Sequence, residues 1–227
     1  MKEKESRLLT VIFAVVLGAL LLSASIAAPI LCRPFYYAHI DALHLTETTP
    51  WTEEEIRQAY DEMLDFCLGL REDFSTGVLA WSDWGRSHFV DVRGLFLLDL
   101  RVLAVSVVLL AVLLIGARLA RRRLRPILGR GPGFWTGTGL AVIFLLIAGW
   151  AALDFRRAFV VFHSIFFPGK ENWILDYDVD QIINILPSVF FRNCAILILI
   201  LLVLGCAVLI VGDGLYQKRR REKEREK

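Results

Sequence analysis

The chain has 227 residues, of which 56% are hydrophobic, and its mean hydropathy is +0.54. These values exclude an ordinary soluble domain of this size and favour an integral membrane protein. The net charge is only +2, and its basic clusters adjoin apolar segments, so membrane topology and anionic lipids explain them better than nucleic acid does.

Four apolar segments are long enough to cross a bilayer as helices, which needs about 20 residues each. We therefore predict an all-α membrane protein, with residues 1–227 forming a single membrane domain under an extracytoplasmic cap of short amphipathic helices and loops. The first segment is longer than the apolar part of a typical secretory signal, which favours its retention as an anchor. The predicted spans are Leu8–Ile30, Leu95–Ala117, Trp135–Leu153 and Ala195–Val211.

The distribution of charge predicts the orientation of these spans. The N-terminus, the connection over residues 118–130 and the tail over residues 212–227 hold 16 of the 26 lysines and arginines. By the positive-inside rule, both termini and this connection are cytoplasmic. The two longer connections, about residues 31–94 and 154–193, then face outward.

The first outward connection contains one clear helix signal. Thr52 and Glu55 have the spacing of a capping box, and an apolar stripe of Ile56, Tyr60, Met63 and Cys67 follows. This pattern predicts a short amphipathic helix that ends near Gly69 and lies on an apolar surface. Cys67 shares its compartment with Cys32, so a disulfide between them is one open possibility.

The second outward connection is rich in aromatic residues. Phe155, Phe159, Phe162 and Phe166 recur at helical spacing, which predicts that the third helix continues beyond the bilayer until Pro168–Gly169. The segment "DQIINILPSVFF" then predicts a second short amphipathic element, placed in the membrane interface before the fourth span.

All four histidines, at positions 39, 44, 88 and 163, fall on the outward side in this topology. On a helix that begins near His88, Asp99 returns to the same face about 16 Å deeper, and Asp91 lies about 60° away. Ionisable groups at such a depth usually face a partner, and Arg156, which shares a face with His163, is a natural one. A purely structural cluster that ties the helix ends together is the alternative interpretation.

Other chemistries lack their sequence patterns. Zinc binding has no HExxH or CxxC spacing, and a serine nucleophile has no GxSxG elbow. No glycine-rich loop is present to hold ATP, so an outward reaction would have to proceed without it. A transporter is disfavoured because the ionisable residues gather at the outer ends of the spans. A non-enzymatic assembly factor or surface sensor remains the alternative to an enzyme.

Three motifs carry a resemblance to a known family. "HFVDVRGLF" entering the second span, "FHSIFFPGKENW" after the third and "LPSVFF" before the fourth resemble the lipoprotein intramolecular transacylases of mostly Gram-positive bacteria. The resemblance implies a multi-pass protein of the bacterial cell membrane whose active site is at the outer leaflet. We predict no cofactor and no metal, since their motifs are missing, and the implied partners are membrane lipids and a diacylated lipoprotein. The oligomeric state stays open.

The resemblance also implies the reaction and the catalytic residues. The sn-2 acyl chain of the lipoprotein's S-diacylglyceryl cysteine moves to the α-amino group of that cysteine, which gives lyso-form lipoprotein. The two catalytic histidines of the family map onto His88 and His163, while His39 and His44 match no motif. One of the pair would act as the base, Asp91 would fix the tautomer of His88, and Arg93 or Arg156 would stabilise the oxyanion.

Overall fold

The structure is a computed structural model that describes residues 4–226, without the side chains of residues 4 and 224. Lys2, Glu3 and Lys227, which enter the charge analysis, lie outside the described residues. The described chain divides into two compact units. The first unit includes residues 4–26, 101–149 and 198–226, and the second includes residues 27–100 and 150–197.

Among residues 4–226, four helices are long and apolar enough to cross a membrane, which confirms the prediction of four spans. The second of them is 37 residues long, or about 55 Å, and exceeds the bilayer's apolar core of about 30 Å. Its first three turns therefore precede the apolar segment and carry His88 and Asp91. The helices are α1 (Arg7–Leu31), α5 (Asp83–Leu119), α6 (Pro132–Leu153) and α8 (Ser188–Arg225).

In the first unit, two glycines of α6 let that helix approach the backbone of α8. A Cβ atom on Gly133 would lie 2.8 Å from the carbonyl oxygen of Leu209, and one on Gly137 would lie 2.7 Å from that of Cys206. Small residues four positions apart are a common means of close packing between membrane helices. The unit also has a short parallel strand pair, in which β1 (Lys4–Ser6) pairs with β2 (Arg122–Leu124).

Gly137→Ala is expected to lower the thermal unfolding midpoint by about 3 to 8 °C, because the added methyl group must push α8 away. The measurement is a fluorescence melting curve of the purified protein in detergent. Gly139→Ala is the matched control, since a Cβ there meets nothing within 4 Å. Equal midpoints for the two variants would contradict the close approach.

The second unit contains α2 (Arg33–Ala42), α3 (Leu45–Thr48), α4 (Glu53–Cys67), α7 (Phe155–Phe166) and a 3₁₀ helix over Gln181–Ile185. Thr52 and Glu55 form the predicted capping box at the start of α4, and the predicted apolar stripe is buried. Tyr60 stacks on Tyr36 of α2 with ring centroids 3.6 Å apart, and the Tyr36 hydroxyl donates to the carbonyl oxygen of Ile185 at 3.0 Å. The core of the second unit therefore joins α2, α4 and the 3₁₀ helix.

Two sequence expectations differ from the structure, and the open question of a Cys32–Cys67 disulfide is answered. The third span does not continue unbroken: it ends at Leu153, and the Asp154 side chain accepts the Arg157 amide at 2.9 Å as the N-cap of α7. The segment "DQIINILPSVFF" is a 3₁₀ helix followed by the start of α8, since Pro187 separates them. Cys32 and Cys67 are both free, so the disulfide is absent.

Candidate active site

His88 and His163 meet in the second unit. His88 lies in the second turn of α5, and His163 lies near the end of α7. Their ring centroids are 5.9 Å apart, and the side chains are only 8% and 6% exposed. The structure thus brings together two histidines that are 75 residues apart in the sequence, in a largely dry environment.

His163 is held in one tautomer by a backbone hydrogen bond. Its Nδ1 lies 2.8 Å from the Phe159 carbonyl oxygen, which can only accept, so Nδ1 carries the proton and Nε2 keeps its lone pair. Aromatic rings surround it, with the Phe159 and Trp173 centroids at 4.3 and 4.6 Å. Burial lowers the pKa of His163 below its usual 6.5, and the bond to Phe159 opposes this only partly. His163 is therefore neutral at pH 7 and able to accept a proton.

Unlike the Nδ1 of His163, the Nδ1 of His88 is not held by a backbone hydrogen bond. The edge of Phe167 packs against the His88 ring with centroids 5.2 Å apart, and no described residue forms a hydrogen bond with its buried Nδ1. A protonated His163 at this separation would disfavour a second positive charge on His88. The pair is consequently suited to holding one proton rather than two.

Asp91 is close to His88 in sequence, but its hydrogen bonds go elsewhere. One carboxylate oxygen accepts from Lys170, and the other accepts from Asn172 Nδ2 at 3.0 Å. Asn172 also donates to Ser87 Oγ at 3.0 Å. The structure therefore corrects the expected role of Asp91: it ties α5 to the loop after α7 and does not fix the tautomer of His88.

Among the other predicted site residues, Arg93 contacts groups away from the histidine pair. Arg93 donates to the carbonyl oxygen of Arg71 at 3.2 Å, and its guanidinium lies 4.9 Å from the Phe66 ring centroid. It thereby fastens the loop after α4 to α5. Asp99 lies eleven residues beyond His88 on α5, and Arg156 is exposed in the first turn of α7.

The remaining histidines have separate surroundings. His39 Nδ1 bonds to the Phe35 carbonyl oxygen at 2.6 Å, and its Nε2 lies 3.0 Å from Asn193 Nδ2. His44 is exposed and lies 3.1 Å from Glu47. Both therefore have local structural partners of their own.

Sequence reasoning missed a buried carboxylate that positions the start of α5. Asp180 is 3% exposed and accepts from the amide and the hydroxyl of Ser82, each at 2.8 Å. A Cβ on Gly85 would lie 2.1 Å from Asp180 Oδ1, so a larger residue there would displace the carboxylate from Ser82. The carboxylate fixes the first turn of α5 and, through it, the position of His88. The sequence offered only "Ser-x-x-Gly" and one of three alternating aspartates in "DYDVD", a pattern too common to interpret.

A cleft of about 280 Å³ lies next to Ser87, the neighbour of His88 in the sequence, and its lining contains Trp84, Lys170 and Asn172 but neither histidine. Over residues 4–226, no three histidine, cysteine or acidic side chains are grouped so that they could hold a metal ion. The groups available for chemistry are therefore two buried imidazoles, with the exposed side chains of Trp84 and Lys170 in the neighbouring cleft.

Comparison with known proteins decides the family. The family model described as lipoprotein intramolecular transacylase matches residues 11–191 of the chain. The chain belongs to this family. It is therefore an intramolecular acyltransferase that acts on lipoproteins, and it is a multi-pass membrane protein, as predicted.

Solved structures agree with this assignment at the level of the fold. The membrane integral lipoprotein intramolecular transacylase of Bacillus cereus superposes with a TM-score of 0.82 and 22% identity, covering 96% of this chain and 97% of that one. Two variants of the same Bacillus protein, with one histidine changed to arginine or alanine, superpose with TM-scores of 0.78 and 21% identity. They cover 96% and 95% of this chain, and 94% and 95% of theirs. No curated protein matches the chain.

Proposed function

We propose that His163 is the base that frees the lipoprotein's α-amine for attack on its own sn-2 ester. That amine has a reference pKa near 7.7 to 8.0 and is mostly ammonium at neutral pH, so its lone pair must be released. The observation that carries the proposal is the Nδ1 hydrogen bond from His163 to Phe159, which leaves Nε2 as a proton acceptor in a buried site.

His88 is the second member of the proposed site. After the amine attacks, the departing sn-2 oxygen needs a proton, and a ring 5.9 Å from His163 can relay it or orient the reacting groups. The N–C bond forms and the sn-2 C–O bond breaks. Of the two protons that the ammonium group loses, one ends on the glycerol hydroxyl and the other is released to solvent. No other reactant is consumed. Because both groups belong to one bound molecule, proximity supplies much of the rate.

Developing negative charge on the ester carbonyl oxygen also needs a donor. Arg93 and Arg156 were predicted for this role, and Arg93 already donates to the Arg71 carbonyl oxygen. Arg156 lies on the His163 face of α7, seven residues earlier, and remains the better candidate. In the orientation predicted from charge, both termini are cytoplasmic and the site faces the outer leaflet, where diacylated lipoproteins are anchored.

A synthetic lipopeptide with a deuterated sn-2 chain tests the reaction. The purified protein is incubated with it in vesicles, and the products are sequenced by tandem mass spectrometry. We expect an unchanged total mass and the deuterated chain on the N-terminal nitrogen. A label that stays on glycerol, in a preparation whose melting curve shows folded protein, would contradict the proposal.

The activity of the wild type is expected to fall on the acid side of its pH profile with a midpoint below pH 6.5. Burial lowers the pKa of His163, so the ring stays neutral at pH 7 and gains its inhibitory proton only as the pH falls further. The measurement is the initial rate of N-acyl product between pH 5 and 7.5, with reversibility checked by returning samples to pH 7. A midpoint at or above pH 6.5 would contradict the assignment of the neutral base.

A further inference from the structure

A basic cleft lies in the first unit, between the turn that precedes α6 and the last part of α8. It has a volume of about 470 Å³. Its charged lining contains four cations and one anion: Arg130, Lys218, Arg221, Arg225 and Glu222. Cations gathered around one concave space repel each other, and an anion placed among them relieves that repulsion.

Two of the arginines are fixed in place before any ligand arrives. The Arg130 guanidinium lies 4.7 Å from the Phe134 ring centroid, and Arg221 donates to the Gly129 carbonyl oxygen at 3.2 Å. A guanidinium has five N–H donors, so Arg221 retains others for a ligand. Planar donors held in this way suit the oxygens of a phosphate group.

The turn that borders the cleft has an exposed apolar side chain and an unusual backbone. Ile127 and Arg130 exchange backbone hydrogen bonds of 2.9 and 3.0 Å across a two-residue turn whose Leu128 and Gly129 both have positive φ. Asn-Gly is the favoured pair at such a turn, yet Leu128 is present and is 86% exposed. Leu215 and Tyr216, beside the lining residues of α8, are also exposed. Such side chains are suited to acyl chains rather than to water.

The predicted ends of the spans also place the inner end of the cleft near the lipid headgroups. Helix α6 begins at Pro132, two residues after Arg130, and the predicted fourth span ends at Val211, just before the α8 residues of the lining. We propose that this cleft binds the phosphate of an anionic phospholipid, with Leu128 inserted among the acyl chains. This site belongs to the first unit, whereas both histidines belong to the second, and it is independent of the catalytic proposal.

The test compares lipid retention by native mass spectrometry after purification in nanodiscs of equal parts phosphatidylglycerol and phosphatidylcholine. We expect the wild type to keep phosphatidylglycerol preferentially. The double variant R130Q/R221Q is expected to lose about tenfold in that preference, since two charge-assisted contacts are removed. R118Q/R219Q is the matched control, because it removes the same charge from the same predicted side at residues that do not line the cleft.

Three results would overturn the proposal: no preference in the wild type, an equal loss in both double variants, or equal protection against thermal unfolding by inorganic phosphate and phosphatidylglycerol. The last would assign the cleft to a soluble anion. If R130Q/R221Q does not fold, K218Q serves in its place, as its side chain is exposed on the same lining. An unchanged preference in K218Q would then count against the site.

Discussion

His163→Ala is expected to lower kcat/KM for the N-acylated product by about 10³-fold, the scale of a lost general base. The substitution removes the buried Nε2 lone pair that the backbone bond from Nδ1 to Phe159 fixes in place. The amine would then have to react from its small unprotonated fraction. The measurement is the initial rate of product formation in vesicles, followed by mass spectrometry.

A histidine outside the site provides the control for this substitution. His44→Asn keeps a residue that tolerates the left-handed backbone at this position, where φ is 53°. We expect it to retain wild-type kinetics. Activity of His163→Ala within threefold of the wild type would remove His163 from the mechanism.

His88→Ala is expected to lower kcat/KM by about 10²-fold or more, and the double variant His88→Ala/His163→Ala should be little worse than His163→Ala alone. Residues that act as a unit on one proton give losses that do not add. The expected non-additivity follows from the 5.9 Å separation of the two rings and their shared burial. The measurement is a double-mutant cycle of kcat/KM under one set of conditions.

His39→Ala is the control for removing a partly buried histidine, because its ring packs against Phe35 and Phe190 instead. We expect this variant to have a lower unfolding midpoint and a kcat/KM close to that of the wild type. Fully additive losses in the cycle would mean that His88 and His163 act in separate steps.

Patterns that depend on nearby residues predicted the fold well. The four spans follow from continuous apolar length, and α4 follows from the Thr52–Glu55 box and its stripe. The break at Asp154 was missed because an acid after an apolar helix also fits a continuing polar helix. The fit of Gly137 against α8 depends on which helices are neighbours, which composition cannot reveal.

In the candidate site, too, local motifs predicted some of the residues, and others could not be predicted from them. The two histidines were named from motifs that resemble a family, and the structure places them together. Lys170 and Asn172 were not singled out, although they lie in a quoted motif, because their bonds to Asp91 join residues 79 and 81 positions apart. Asp180 likewise acts on Ser82 across 98 positions. Such pairings follow from tertiary packing, which no local pattern encodes.

The central claim, that His163 takes the proton of the substrate's ammonium group, is tested most directly by comparing the wild type with His163→Ala between pH 7 and pH 9.5. The amine loses its proton unaided near pH 7.7 to 8.0, so the variant should recover about tenfold over this range while the wild type stays nearly constant. The ratio of the two rates of N-acylation should therefore fall about tenfold. A ratio that stays constant across the range would contradict His163 as the base toward the amine.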